Sequence, residues 1–286
     1  MTVPLTVAMC SNRPALLHAA IDRLRALLGP EDHLLVIVDT AVRADTTRRL
    51  VQAATDQQIT ALFNGRTIGL SYSRNLALKE AATQHILFVD DDIVPTLATV
   101  DRIRAALGNG VHVAGTRITA DFQGHPTPWY LTDGQLHYLG SHHPGLPASI
   151  WGGCFALDRD HARLLSVGFN ERLGRIGACL SSAEDTTLVR QLLGLGASGT
   201  VLDDAEVRHL IPVTRLRLGY LLRRAYWQGR SEVRRNTTRR GLRKEWSRNR
   251  SGGSGPRATA LALLYTAAVL VGETGQLLRQ ATGSPA

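Results

Sequence analysis

The chain has 286 residues, 44% hydrophobic and 20% charged, ordinary globular proportions that exclude a disordered, collagenous or coiled-coil protein and leave ample length for a core. Aromatic residues are only 5%, so aliphatic side chains must fill that core. The net charge of +9 is concentrated, with 14 Lys/Arg against two acids between Arg208 and Arg250, so the first two hundred residues are not a nucleic-acid surface and no nucleic-acid partner is expected. Cys10, Cys154 and Cys179 are odd in number and widely spaced, which rules out a disulfide framework and fits a reducing compartment. The start, MTVPLTVAMCSNRP, lacks the basic region and long apolar run of a signal peptide, so a cytoplasmic location is expected.

Short apolar runs alternate with helical patterns through the first half. Leu5–Met9 reads as a strand, Pro14–Leu28 as a helix, and Leu34–Val38 as a strand too uniformly apolar to be half exposed. Ile59–Phe63 is a weaker strand, Leu70–Ala82 a helix, and Ile86–Val89 a strand running into Asp90-Asp91-Asp92. Leu97–Leu107 is a helix and Val111–Thr116 a further strand. Fully apolar strands alternating with helices predict a parallel sheet covered on both faces, with ligands beyond the carboxyl ends of the strands. Cys10-Ser11-Asn12, Asp39-Thr40 and Asp90–Asp92 all fall at such ends.

Between Asp121 and Ile150, prolines and glycines predict long loops, in which Trp129, Tyr130, His142 and His143 stand. Order returns with Ser149–Leu157, helices at Asp158–Val167 and Ala183–Leu195, and a basic helix at Arg215–Arg240. Ser251–Pro256 is a flexible break. Ala258–Gly272 is apolar for about fifteen residues before Glu273, short of the roughly twenty that a membrane span needs.

Three aspartates closing an apolar strand suit a hard divalent cation that neutralises a diphosphate; alternatively one caps the next helix and the others are solvated. Gly65–Asn75 is a glycine-bearing loop opening a helix, with Arg74 placed for phosphate oxygens. Trp151-Gly152-Gly153 allows close backbone approach, and Glu184-Asp185 begins a helix either as a dipole-complementing turn or as an acid pair for chemistry. Trp129, Tyr130 and Trp151 could stack on a sugar or pack as loop residues, and Cys10 fits a small buried thiol.

In order and spacing these stretches resemble the family-2 glycosyltransferases of the GT-A fold. Thr6–Pro14 is similar to that family's first strand and nucleotide loop, Val36–Asp39 to its second strand with a base-contacting aspartate. Gly69–Asn75 with Ile86–Pro95 is similar to its Arg-Asn helix and DXD element. Trp151–Leu157, Val167–Glu171 and Glu184–Leu188 resemble its acceptor-side glycine loop, its GF-(D/N)-E turn and its ED motif, and Arg223–Gly229 its basic R-x-Y-x-x-G helix.

The resemblance implies an α/β, Rossmann-like, mostly parallel sheet flanked by helices, with a C-terminal helical extension. It implies a catalytic domain over 1–214, divided into a nucleotide-sugar half (1–118) and an acceptor half (119–214), then basic and apolar helices over 215–286. The implied activity is inverting transfer of a single sugar from a nucleotide-diphosphate donor, UDP-sugar first, with Mg2+ or Mn2+. Asp185 would be the base and Glu184 would orient the acceptor. Asp90, Asp92 and His209 would hold the metal. Cys10, Asn12, Arg13, Asp39, Gly69, Arg74, Asn75, Asp90 and Asp91 would surround the nucleotide sugar, and Trp129, Trp151, Gly152 and Gly153 the acceptor or sugar.

Two departures stand out. The second strand continues as Asp39-Thr-Ala-Val-Arg43 instead of the family's usual acidic and Ser-Asp residues, and the QxxRW element of processive synthases is absent. A sugar-nucleotide-forming nucleotidyltransferase is the first alternative, although Ser11–Pro14 lacks the glycine-rich basic loop it needs. A non-catalytic module that binds through the Arg-rich segment is the second. That segment is open to contact with the inner face of an anionic membrane, with a polyanionic acceptor, with a second copy of the chain, or only with solvent.

Overall fold

The computed structural model describes residues 3–41, 58–146, 148–236, 242–251 and 253–282. Arg43 and the last turn of the helix expected up to Arg240 lie outside the described residues. Strand β1 (Leu5–Ser11) is buried along its whole length because it runs in the interior of a sheet covered on both faces. Its side chains alternate. Leu5, Val7 and Met9 join one core cluster with Leu17, Ile21 and Leu24 of α1 (Pro14–Arg25), whereas Ala8 and Cys10 join another with Ala77 of α2 (Leu70–Glu80).

β1 pairs in parallel with β2 (His33–Val38) and with β4 (His85–Val89), and β2 pairs in parallel with β3 (Ile59–Phe63). Beyond β4 the direction changes. β7 (Cys154–Asp158) runs antiparallel between β4 and β6 (Val113–Asp121). β6 then pairs in parallel with β8 (Gly199–Leu210), whose outer edge carries β5 (Ile93–Val94). The eight-stranded order is β3-β2-β1-β4-β7-β6-β8-β5. This is the α/β architecture flanked by helices that the sequence predicts, with a departure from the expected parallel sheet: β7 runs antiparallel to both of its neighbours and β5 antiparallel to β8.

Two strands were not anticipated. β5 is two residues long. β8 carries Asp203, Asp204, Glu206 and Arg208, so its composition reads as loop; its buried residues are Ala205, Val207 and His209, one face of an alternating strand. Pairing of Ile93 with His209 in the β5–β8 register brings that histidine beside the aspartate triplet.

Helices α3 (Leu97–Gly108), α4 (Arg159–Leu164) and α5 (Glu184–Gly194) cover the sheet, α3 beginning at a capping box in which Thr96 accepts from the Thr99 amide. A 3-10 helix, Asp133–Leu139, organises the loops between β6 and β7. The chain then forms α6 (Leu218–Asn236), α7 (Leu242–Arg250) and α8 (Pro256–Thr282). Tyr138, Leu139, Leu221, Ala225, Tyr265 and Val269 join the 3-10 helix to α6 and α8 in a third core cluster.

The structure revises two expectations about this last region. The apolar segment is part of a 27-residue helix, because Glu273, the residue that seemed to end it, is buried against the rest of the chain. By length and composition alone α8 could cross a membrane; here one face packs on α6, and Leu263, Leu264, Val271 and Leu278 are exposed. The contact with α6 is close: a Cβ on Gly272 would lie 1.9 Å from the Tyr226 carbonyl oxygen, and one on Gly229 would lie 2.0 Å from that of Val269. The arginines of α6 are also not simply a solvated face. Arg230 lies 4.5 Å from the Trp227 ring and donates to Gln276 Oε1 of α8, and Arg224 is buried.

Candidate active site

A cavity of about 820 Å³ opens at the carboxyl ends of β1 and β4. It brings together Ser11 to Arg13, the Asp90–Asp92 triplet, Trp151 to Gly153, Glu184 and Asp185, and His209. Five stretches far apart in sequence thus share one cleft.

Arg74 is the hub. It is 1% exposed; its Nη1 donates to Glu184 Oε1 at 3.0 Å, and its Nη2 donates to Asp90 Oδ1 at 3.0 Å and to the Gly152 carbonyl at 2.8 Å. A guanidinium fork has the planar reach to hold two carboxylates and a carbonyl at once. Every one of these contacts is internal, so Arg74 lines the cleft and sets the spacing between the triplet and the acid pair, shaping the pocket.

Gly152 closes the other side. Its amide donates to Asp185 Oδ2 at 2.5 Å, and a Cβ there would lie 2.8 Å from Arg74 Nη1 and 2.9 Å from Asp185 Oδ2. Asp185 Oδ1 accepts from the Thr186 amide at 2.6 Å in the first turn of α5, so both carboxylate oxygens are oriented by the backbone. Glu184 is 6% exposed, and its Oε2 has no hydrogen-bond partner among the described residues. Burial first, then the charge of Asp185, pushes its carboxyl up to about 7 against the pull of Arg74.

The three aspartates differ. Asp91 is held by Ser11 Oγ at 2.5 Å and by Arg13, so its carboxylate anchors the nucleotide-loop candidate from behind. Asp92 Oδ2 lies 2.9 Å from Arg13 Nη1, 3.0 Å from Arg215 Nη1 and 3.3 Å from His209 Nε2. His209 heads the hydrogen-bonding and charge effects that hold the Asp92 carboxyl well below its usual range despite burial. Asp90 is half-buried and pushed upward by desolvation, with Arg74 opposing.

Asp92 and His209 offer a buried carboxylate oxygen and an imidazole nitrogen close enough to bind one divalent cation together. Among the described residues no group of three or more His, Cys, Asp and Glu forms a full metal cage. The pair therefore fits a cation whose remaining ligands come from a substrate, the usual situation for Mg2+ beside phosphates.

Other expected residues are placed differently. Asp39 lines the cleft, but its carboxylate accepts from the Ile68 and Gly69 amides, both at 2.9 Å, and from Asn64 Nδ2 at 2.8 Å; it pins the loop before α2. Gly69 and Asn75 do not line the cavity. Asn75 exchanges hydrogen bonds with the Phe169 backbone and donates to Glu171, fixing the Gly168–Glu171 turn. Trp129 is 64% exposed and stands outside the cleft, where Arg257 lies 5.7 Å from its ring. Trp151 does line the cavity and stacks on His142 at 4.0 Å. Cys10 lines it as a neutral thiol, pushed up to about 12 by burial.

Arg175, Arg215 and Arg224 also line the cleft and were not among the candidates. Arg175 and Arg215 carry no local signal in an arginine-rich chain, and the motif-like Arg223–Gly229 stretch does not say which of its arginines turns inward; the packing of α6 decides that for Arg224.

The sheet order, the crevice at the strand ends and the acid groups facing each other across it define a GT-A glycosyltransferase. Residues 7–163 match the model of the glycosyl transferase family 2, and the chain belongs to that family. Solved structures are similar throughout the chain at 14% identity. A mannosyltransferase, PcManGT, from Pyrobaculum calidifontis, solved with GDP-Man and Mn2+, aligns over 99% of this chain and 76% of its own with a TM-score of 0.58. TarS residues 1–349 from S. aureus align over 99% and 92% with a TM-score of 0.54. GalNAc-T7, solved with UDP, GalNAc and Mn2+, also has a TM-score of 0.54, over 99% of this chain and 58% of its own. No curated protein sequence matches the chain.

Proposed function

We propose that the protein transfers a single sugar, with inversion, from a nucleotide-diphosphate donor, UDP-sugar first, to a small-molecule, lipid-linked or glycan acceptor, using Mg2+ or Mn2+. The observation that carries this reading is the Arg74 bridge, which holds Asp90 and Glu184 on opposite sides of one guanidinium inside a single cleft. The solved relatives bound to GDP-Man with Mn2+ and to UDP with Mn2+ support the donor class and the cation.

In this reading the donor occupies the side of Ser11, Asn12 and Arg13, and Asp92 with His209 holds the cation. When bound, the cation neutralises charge developing on the departing diphosphate. Arg13 and Arg215, which sit on Asp92, are placed to meet the donor's phosphate oxygens. Asp185, oriented by the Gly152 and Thr186 amides, takes the proton of the attacking acceptor group, and Glu184 positions the acceptor. Attack opposite the leaving group in one displacement gives inversion.

A second assignment within the same reaction has its own support. The bare Glu184 Oε2, on a carboxyl pushed up to about 7, is also suited to accept a proton near neutrality. Domain boundaries at 1–118, 119–214 and 215–286 follow the same reading, with α6 to α8 as a helical wall of the acceptor side.

The experiment is a turnover screen of nucleotide sugars with Mn2+, following release of nucleoside diphosphate. Release of pyrophosphate from a nucleoside triphosphate and a sugar 1-phosphate would replace this reading with the nucleotidyltransferase one. Saturable turnover lost in both Asp185→Asn and Asp92→Ala supports transfer.

A further inference from the structure

Arg224, on α6, is 8% exposed and lines the cavity, yet its Nε and Nη1 have no hydrogen-bond partner among the described residues. Other buried arginines of the chain are engaged: Arg74 holds Glu184 and Asp90, and Arg230 donates to Gln276. A guanidinium taken out of water without partners costs stability. Burial, followed by the charge of Arg175, pulls Arg224 down to about 10. Glu184 acts on Arg224 through its charge but makes no ion pair with it, its own Oε2 is bare among the described residues, and both line the cavity. The α5–α6 side of the cleft thus holds both a buried acid and a buried guanidinium whose Nε and Nη1 have no hydrogen-bond partner among the described residues.

We propose that Arg224, with the half-buried Arg175 beside it, forms a subsite for an oxyanion, phosphate or carboxylate, carried by the acceptor. The inference rests on the transfer reading above and gives the acceptor a chemical class: an acidic molecule whose anionic group docks on α6 while its nucleophile faces Asp185. The arginines next to the aspartate triplet, Arg13 and Arg215, are the ones placed for the donor diphosphate, and Arg224 is in contact with neither Asp91 nor Asp92.

The test is calorimetric titration of inorganic phosphate into the full chain, alone and with saturating UDP and Mn2+. Phosphate should bind at one site, should still bind with UDP and Mn2+ present, and should bind about tenfold or more weakly in Arg224→Gln, as loss of a charge-assisted contact requires. Arg175→Gln should weaken it independently, and Arg217→Gln, at an exposed position, should leave it unchanged. In phosphate-free buffer Arg224→Gln should melt at or above the wild-type temperature, because a lone buried charge has been removed; this separates loss of the site from misfolding. Displacement of phosphate by UDP with Mn2+ would assign the anion to the donor and overturn the proposal, as would unchanged phosphate binding in Arg224→Gln. A wild-type protein that binds phosphate through Arg224 but does not bind UDP with Mn2+ would overturn the transfer reading while supporting the oxyanion site.

Discussion

The two walls of the cleft treat charge in opposite ways. On the side of β1 and β4, every carboxylate of the triplet meets a guanidinium: Asp90 meets Arg74, Asp91 meets Arg13, and Asp92 meets Arg13 and Arg215, with the His209 ring beside them. On the side of α5 and α6, Glu184 Oε2 and Arg224 Nε and Nη1 are buried without hydrogen-bond partners among the described residues. A satisfied network rigidifies, whereas unsatisfied buried groups cost free energy that an incoming molecule can recover. The first wall is built to be displaced by a charged ligand, the second to be completed by one.

The comparison can be broken most severely at the base. Asp185→Asn should lower kcat by about 10²–10⁴-fold, the ordinary worth of a positioned proton acceptor, with UDP binding unchanged. Single-turnover kinetics beside calorimetry checks it, and if Glu184→Gln suffers the larger loss, the two acids exchange roles. Next comes the hub. Arg74→Met should destabilise the fold by about 3–5 kcal/mol, since Asp90 and Glu184 would lose their shared cation, and urea unfolding measures it.

Glu184→Gln sharpens the contrast through pH. The folded protein raises this carboxyl above its ordinary range, so its contribution to stability is full below about pH 4.5 and is lost as pH rises through about 7. Wild-type stability should therefore drop across that interval by about 2–3 kcal/mol more than that of the variant. Parallel melts at pH 4.5 and 7.5 read this directly, and parallel slopes would show that Glu184 carries no such shift. The smallest expected effect is at the cation pair: His209→Gln should raise the Mn2+ concentration for half-maximal UDP binding by about tenfold, as loss of one ligand-shell interaction does.

Much of the first wall was legible in the sequence. Its strands are continuous apolar runs whose ends carry polar residues, so Ser11, Asn12 and Asp90–Asp92 could be assigned to one crevice from pattern alone, while Arg13 came only with the family resemblance. The residues whose contacts the pattern did not foresee share one feature. Asp39, Arg74 and Asn75 have the right chemistry for a nucleotide, but each is consumed by contacts 16 or more positions away: the Ile68 and Gly69 amides, Glu184, and the Phe169 backbone. Periodicity does not report such long-range partners. On the second wall the Glu184-Asp185 pair was legible as a motif but the inward arginines were not, because α6 carries five arginines of similar local context, Arg223, Arg224, Arg230, Arg234 and Arg235, and its packing decides that Arg224 and Arg230 turn inward. β8 was missed for a related reason: its charges describe its outer face, while Ala205, Val207 and His209 describe its inner one.

The crossing of Gly229 with Gly272 gives the far end of the chain a mechanical duty toward the chemistry. Because the two backbones touch there, α8 works as a buttress that fixes the tilt of α6, and Arg224 rides on α6 five residues upstream of the contact. A single methyl at position 272 would push the helices apart by the width of that group and carry the guanidinium with them, so the shape of the substrate chamber is partly written in a helix that never enters it.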